Sequence, residues 1–347
     1  MFSDMGHELT LVIPKRKNTI TQSLGEYYAF EPTFSILHIR STPVIFNRLL
    51  GKITFRLEGF VFAVRSLFLQ IPKDALIFTR SPEVAFLHAV FRRKVALEIH
   101  DWPDASLYVY KWMIRRVPFL IVTSQGLAEE LQQSDMDNYL VAPNAVGKEF
   151  FVQTTIDSVI QKSKYGISED KFIIMYVGSL AYWKGVVTLL ESSKLLNSSE
   201  YQVVIAGGTE IEVTKLATDY PHVKFIGRLP NELLPTFQKL ADVLIVPNRN
   251  DSAMSAKYTS PIKLFAHMTS SRPIIAADLP SIRNIVSDQE IFFFAGTAND
   301  LAQKIEFAHN NPTIAKQKAD QAYASIINCT WEDRVQKIIE FTSQTQA

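Results

Sequence analysis

The stretch Phe172-Ile173-Ile174-Met175-Tyr176-Val177-Gly178-Ser179-Leu180-Ala181-Tyr182-Trp183-Lys184-Gly185 runs from an unbroken apolar segment into a glycine turn and then to a lysine. Residues 172–180 read as a strand, apolar but for Gly178 and Ser179, and a strand covered on both faces must be nearly continuous in such residues. Gly178 permits a tight turn and close backbone approach. Lys184 stands where a cation would reach an anion held at the start of the next helix. By itself the segment reads equally well as an ordinary strand-to-helix turn with a solvated lysine.

Downstream the pattern repeats. Apolar runs at 202–208, 223–229, 243–247, 273–278 and 291–295 alternate with helical spacing at 184–197, 211–220, 231–241 and 261–269. Such alternation predicts a parallel, doubly wound α/β sheet, whose ligands bind beyond the carboxyl ends of the strands. Ala206-Gly207-Gly208 ends one strand and would let a ligand lie against backbone. Ser260-Pro261-Ile262-Lys263 reads as a helix start, with Ser260 as cap and Pro261 in the first turn. Free N–H groups there favour phosphate, and Lys263 adds charge, although any helix can begin with Ser-Pro.

Upstream the same habit is less regular. Strands are predicted at 7–14, 34–39, 75–79, 95–100, 119–123 and 139–142, and helices at 53–69, 82–90, 107–117 and 125–132. With 347 residues the chain suits two domains of roughly 150 residues each. The division expected is 1–150, 151–328 and a terminal amphipathic helix in 329–347, which could pack on the first domain or on the second sheet.

Composition narrows the function classes. Hydrophobic residues make up 47% and charged residues 20%, and the net charge of +1 gives no bulk attraction to nucleic acid. The single cysteine, Cys329, cannot form an intramolecular disulfide, and no Cys/His cluster has zinc spacing. Asp135-Met136-Asp137 lies between a predicted helix and strand and reads as a solvated turn, so no metal site is expected. No segment has the roughly 20 apolar residues of a membrane span, and no signal peptide is visible. A cytoplasmic protein is the expectation.

Taken together, "YVGSLAYWKG", "VVIAGG", "VKFIGRLPNELLPTFQKLADVLIVPN", "YTSPIKLFAHM" and "SSRPIIAADLPSIRNIV" resemble the large retaining GT-B glycosyltransferase family of bacterial glycan assembly (family 4 type, group 1). In the first half "GHELTLVIPKR", "TRSPEVA", "ALEIHDWP" and "VAPNAVGKEFF" resemble it more loosely. The resemblance implies two Rossmann-like domains with parallel sheets facing across a cleft. It implies transfer from a UDP- or GDP-sugar to a glycan or lipid-linked acceptor, with no cofactor and no metal. Residue by residue, Lys184 matches the diphosphate-binding cation, Gly178 and Ser179 its turn, and Gly207 and Gly208 the next strand end. Gly227 and Arg228 match the nucleobase loop, and Ser260, Pro261, Ile262 and Lys263 the phosphate-facing helix end. His100 and Asp101 match a segment facing the sugar, where a histidine could orient the reacting centre; the plain alternative is a strand-end histidine with its bonds satisfied.

Three departures accompany the likeness. Ser179 stands where many relatives have an arginine. Ala266 stands where the family has a glutamate holding the ribose hydroxyls, a loss of about 1–3 kcal/mol of donor binding; Tyr258 replaces a second glutamate that the "SPIKLF" branch often lacks. "MFSDMGHELTLVIP" reads as a helix end, a turn and the family's second strand, so the first strand and its Gly-rich loop are not in the sequence, as in a misplaced start or gene fragment. A non-catalytic nucleotide-sugar-binding or scaffold protein is therefore the alternative function; an epimerase of the same fold does not suit the motif order. Between Arg40 and Arg116, 13 Lys or Arg against 6 Asp or Glu are interleaved with aromatics such as Phe46, Phe55, Phe60 and Trp112. That face is either core with solvated charges or a peripheral contact with the anionic inner face of a membrane.

Overall fold

The computed structural model describes residues 1–15, 23–25, 31–40, 51–103, 107–151 and 158–344, and the side chains of 51–56 and 158–160 lie outside that description. The chain divides into two compact units. Unit 1 comprises Met1–Val122, Ala128–Ala142 and Val335–Ala347, and unit 2 comprises Thr123–Leu127 and Pro143–Arg334.

Unit 2 is built on six parallel strands: β7 (Phe172–Val177), β8 (Tyr201–Ala206), β9 (Lys224–Gly227), β10 (Val243–Val246), β11 (Ile274–Ala277) and β12 (Phe292–Phe294). Their order is β12-β11-β10-β7-β8-β9. The chain builds outward from β7 to β9, then crosses back to place β10 on the other side of β7. That reversal makes the carboxyl ends of β7 and β10 the switch point where a ligand fits. Strands β10 and β11 are buried at every residue, as their aliphatic sequences require. The expected strands overrun at their carboxyl ends for a backbone reason: Gly178 (φ +146) and Gly207 (φ +140) leave the extended region and end the ladder.

Unit 1 holds two parallel sheets instead of the single one implied. Strands β1 (Thr10–Lys15) and β2 (Ser35–Arg40) pair with each other, and β3 (Ile77–Thr79), β4 (Val95–Ile99), β5 (Phe119–Val122) and β6 (Tyr139–Val141) form the second sheet in that order. Among the described residues β1 and β3 each pair on one side only. The Phe2 ring packs on Phe78 of β3 with centroids 5.8 Å apart.

The helix Trp331–Ser343 leaves unit 2 and returns its apolar stripe to unit 1. Ile338 is fully buried among Ala96, Phe119, Ile121 and Ala142, and Phe341 meets Phe119 edge to face at 5.5 Å. We predict that Ile338→Ala costs about 3 kcal/mol in urea unfolding, the transfer and cavity terms of a fully buried aliphatic side chain.

Candidate functional site

The site begins at two glycines. Beyond β7 and β8 the backbones of Gly178 and Gly207 approach so closely that a Cβ on Gly207 would lie 1.9 Å from the Gly178 carbonyl oxygen. Only glycine fits, and the amide of Gly178 donates to the Ala206 carbonyl at 2.9 Å. These strand ends form one wall of a pocket of about 500 Å³ inside unit 2. Ser179, Gly208 and Arg228 continue it, and Ile262, Lys263 and Ala266 close the opposite side.

The helix Ile262–Met268 supplies that opposite side. Residues 262, 263, 266 and 267 share a helical face, so Lys263, Ala266 and His267 all reach the pocket. The Lys263 ammonium donates to the Tyr176 hydroxyl at 3.0 Å, and that hydroxyl donates to the Ser179 carbonyl at 2.7 Å. Burial, and then repulsion from Lys184, hold the Lys263 pKa well below the usual lysine range. Lys184 lies in the turn Tyr182–Lys184, its ammonium 3.6 Å from the Trp183 ring centroid. Burial lowers its pKa to about 8. Neither lysine makes an ion pair among the described residues; Lys263 lines the pocket, while Lys184 is not one of its lining residues and acts on Lys263 through its charge. An anion is the natural occupant.

Not every expected residue lies on the pocket wall. Gly227 takes φ +77 and bends the chain into Arg228, but does not itself line the pocket. Pro261 is buried and is the residue that precedes the helix. Ser260 does not cap the helix as the sequence suggested. Its hydroxyl accepts from the Asn144 amide at 2.9 Å, while the Asn144 side chain donates to the Ser260 carbonyl at 2.7 Å. This long-range partner outcompetes the local cap. The helix has only seven residues, and Lys263 carries the positive charge on its pocket face.

The sequence reading missed the pocket's deep polar groups. Gln238 and His267 line it, are buried, and leave Oε1 of Gln238 and both ring nitrogens of His267 without a hydrogen-bond partner among the described residues. Burial, and then the Lys263 charge, push the His267 pKa down to about 3, so its ring is neutral. Their nearest sequence signal is position: His267 follows Ala266 on the pocket face. Thr209 and Glu212 also line the pocket, and there a legible Thr-x-x-Glu capping box closes its own helix start.

His100 and Asp101 lie in unit 1, beyond β4, and line a cavity there. His100 Nε2 is hydrogen-bonded to the carboxylate of buried Glu98, which also receives Arg80 at 3.2 Å. Asp101 accepts from the Trp102 amide at 2.9 Å. Glu98 was not singled out above, because a carboxylate inside an apolar strand declares itself only when its partners are seen. Among the described residues no cluster of three His, Cys, Asp or Glu could hold a metal ion. Asp135 is in a positive-φ turn, its side chain almost fully exposed.

Residues 157–325 match the family model described as glycosyl transferases group 1. The chain carries a group 1 glycosyltransferase domain. No curated protein sequence matches the chain significantly. The whole chain shares its fold with solved glycosyltransferase structures. A sucrose-phosphate synthase from Thermosynechococcus elongatus aligns with a TM-score of 0.75 at 16% identity, over 99% of this chain and 90% of that one. The Anabaena protein HepE, in complex with UDP-glucose, aligns with a TM-score of 0.70 at 17% identity, over 89% and 86%. WaaG, a glycosyltransferase involved in lipopolysaccharide biosynthesis, aligns with a TM-score of 0.67 at 12% identity, over 99% and 93%. The fold is thus the α/β GT-B architecture with parallel sheets, and the pocket at its switch point lies inside the glycosyltransferase domain.

The lysine in that domain has a stability signature. Replacing Lys263 by Met removes a dehydrated cation, while Tyr176 keeps its bond to Ser179. The expected result is a thermal midpoint raised by the equivalent of about 1 kcal/mol, with pyrophosphate binding lost in the same protein. A lowered midpoint would show that the ammonium supports the fold.

Proposed function

We propose that this glycosyltransferase moves a sugar from a UDP- or GDP-sugar to a glycan or lipid-linked acceptor, with retention, in cell-envelope or extracellular polysaccharide assembly. The observation that carries the reading is the pair of un-neutralised lysines, Lys184 and Lys263, beside glycine-bounded strand ends in a group 1 domain. Cleavage of the bond from sugar carbon to diphosphate leaves its electron pair on the diphosphate and positive charge on the sugar ring. Cations already stripped of water stabilise that leaving group without reorganising, which is where fixed charge contributes most. On this reading neither a metal nor a cofactor is needed. Retention, the pathway and the role of His100 and Asp101 rest on the family resemblance. Glu98 would fix the orientation of the His100 ring.

The likeness to HepE with UDP-glucose supports a UDP-sugar as the donor to test first. No helix among the described residues is long and apolar enough to cross a membrane. We place the protein in the cytoplasm, with peripheral contact at the inner face of the cell membrane through the basic and aromatic region after Arg40. Phe46 and the side chain of Phe55 lie outside the described residues. Binding to anionic vesicles that weakens with salt is expected, and no binding at low salt would refute the contact.

A second reading has one specific observation in its favour. Ala266, buried in the pocket wall, offers no carboxylate to a ribose, so the chain could bind a nucleotide sugar without turning it over. A donor-hydrolysis assay separates the two. The enzyme reading expects UDP- or GDP-sugar hydrolysis, lost in Lys184→Ala and raised several-fold in Ala266→Glu. Absence of hydrolysis in every variant would leave only the binding role.

The pH dependence follows from the lysines. Their pKa values are lowered in the free protein, and a bound diphosphate raises them again. Binding is therefore coupled to proton uptake. Lys184 is half deprotonated near pH 8 in the free protein, so its share of the affinity for UDP falls above that pH by up to about tenfold per unit, and Lys263, held well below the usual lysine range, adds to the fall. Calorimetry in buffers of different ionisation enthalpy checks the uptake directly; a buffer-independent enthalpy at pH 8.5 would refute it.

A further inference from the structure

The helix Ile262–Met268 carries Lys263 to the pocket, yet with seven residues it is too short to hold its own direction. A helix of about two turns gains few internal hydrogen bonds for the dihedrals it fixes, so tertiary contacts at its entry decide where it points. Those contacts are made just before it. Asn144 grips Ser260 at two points: its backbone amide donates to Ser260 Oγ at 2.9 Å, and its side-chain amide donates to the Ser260 carbonyl at 2.7 Å. Two bonds to one residue fix its rotation as well as its position. The second partner is a carbonyl, so only the N–H end of the Asn144 amide suits it.

Asn144 is itself tied down. The Pro143 carbonyl accepts from Arg334 Nε at 2.9 Å, and Val146 exchanges backbone bonds with Cys329 and Trp331 at 3.1 and 3.3 Å. A few residues before Ser260, the Lys257 backbone lies so near Gly126 that a Cβ there would stand 2.5 Å from the Lys257 oxygen. All of these residues belong to unit 2, and none of them lines its pocket.

We propose that Asn144 is a positioning residue of the glycosyltransferase domain: through Ser260 it sets the direction of the helix Ile262–Met268 and so holds the Lys263 ammonium where an anionic donor meets it, an inference that rests on the donor reading above. Pro261 stands between Ser260 and the helix, and its ring fixes φ, so a rotation at Ser260 passes into the helix without being absorbed. Lys263 registers such a movement at the Tyr176 hydroxyl, 3.0 Å away at the end of β7. A displacement of about 1 Å is enough to cost a fixed charge much of its hold on a ligand.

The test reads the contact between Lys263 and Tyr176 without any ligand. Tyrosine labelled with carbon-13 at ring position ζ reports the Tyr176 hydroxyl, and its resonance is assigned by its loss in Tyr176→Phe. Lys263→Met marks where that resonance lies once the contact is gone. In Asn144→Ala it is expected to move toward that position. Ser260→Ala is expected to do the same, and Ser260→Thr, which keeps the hydroxyl, to return it to the wild-type place. Ile305→Ala opens a cavity at a fully buried position of the helix Ala298–Asn310 and controls for lost stability; there the resonance is expected to stay. By calorimetry UDP is expected to bind about tenfold more weakly to Asn144→Ala and Ser260→Ala, and within about twofold of wild type to Ser260→Thr and Ile305→Ala. Where Asn144→Ala does not fold, Ser260→Ala, the smaller change, decides. An unmoved Tyr176 resonance in these two variants would overturn the proposal, and so would a moved resonance with unchanged UDP affinity. Failure of the wild-type chain to bind UDP would sink the donor reading and the role with it, an outcome told apart by the spectra, which need no ligand.

Discussion

A lysine ammonium removed from water and left without a carboxylate is a costly group to keep, and unit 2 is arranged around one. Lys263 is partly buried on the helix Ile262–Met268, bonded among the described residues to the Tyr176 hydroxyl, with Lys184 close enough to repel it. Each element near it is there for a backbone reason. Tyr176 is the penultimate residue of β7, Gly178 lets the chain bend away, and Gly207 lets β8 end against that bend. Gly185 lets the loop after β7 touch the loop after β10, because a Cβ there would lie 1.7 Å from the Pro247 oxygen. The result is a positive site at the switch point of a parallel sheet, where open α/β sheets place their ligands.

The sheet of unit 2 was legible because its strands are buried on both faces, and continuous Val, Ile, Leu and Phe has few other readings. The candidate site was legible only where local chemistry decides. Gly178, Gly207 and Lys263 announce themselves through turn geometry and charge. Ser260 misled because its partner, Asn144, is 116 residues away, and a cap motif cannot reveal a competing tertiary bond. Gln238 and His267 were invisible for a similar reason: their significance is the absence of a partner, which only packing exposes. In unit 1 the alternation was legible, but alternation alone carries no strand pairing. Six parallel-type segments said nothing of β1 and β2 forming a sheet of their own. The terminal helix illustrates the same limit, since its stripe was clear and its destination was not.

The two cavities differ in the chemistry they can host. The pocket in unit 2 is walled by backbone and cations, which suits a compact, charged, strongly hydrated ligand. The cavity in unit 1 is walled by aromatic and aliphatic side chains with one polar corner, which suits a ligand with a wet end and a dry end. On the transferase reading proposed above, a charged donor would suit the first of these and not the second.

Ala266 weakens the case for catalysis, but the residues around it argue for a working ligand site. Gln238 and His267 leave three buried polar atoms unsatisfied, and Lys263 adds a dehydrated charge. Each such group costs about 1–3 kcal/mol, against a total stability of about 5–15 kcal/mol for an ordinary domain. A protein kept only as a scaffold would be more stable with leucine or methionine at these positions, which are shielded from solvent and contribute little to its outer surface. Lys263 lines the pocket and is only partly buried, so an anionic ligand there would neutralise its charge, whereas the Gln238 and His267 side chains are sealed behind the wall.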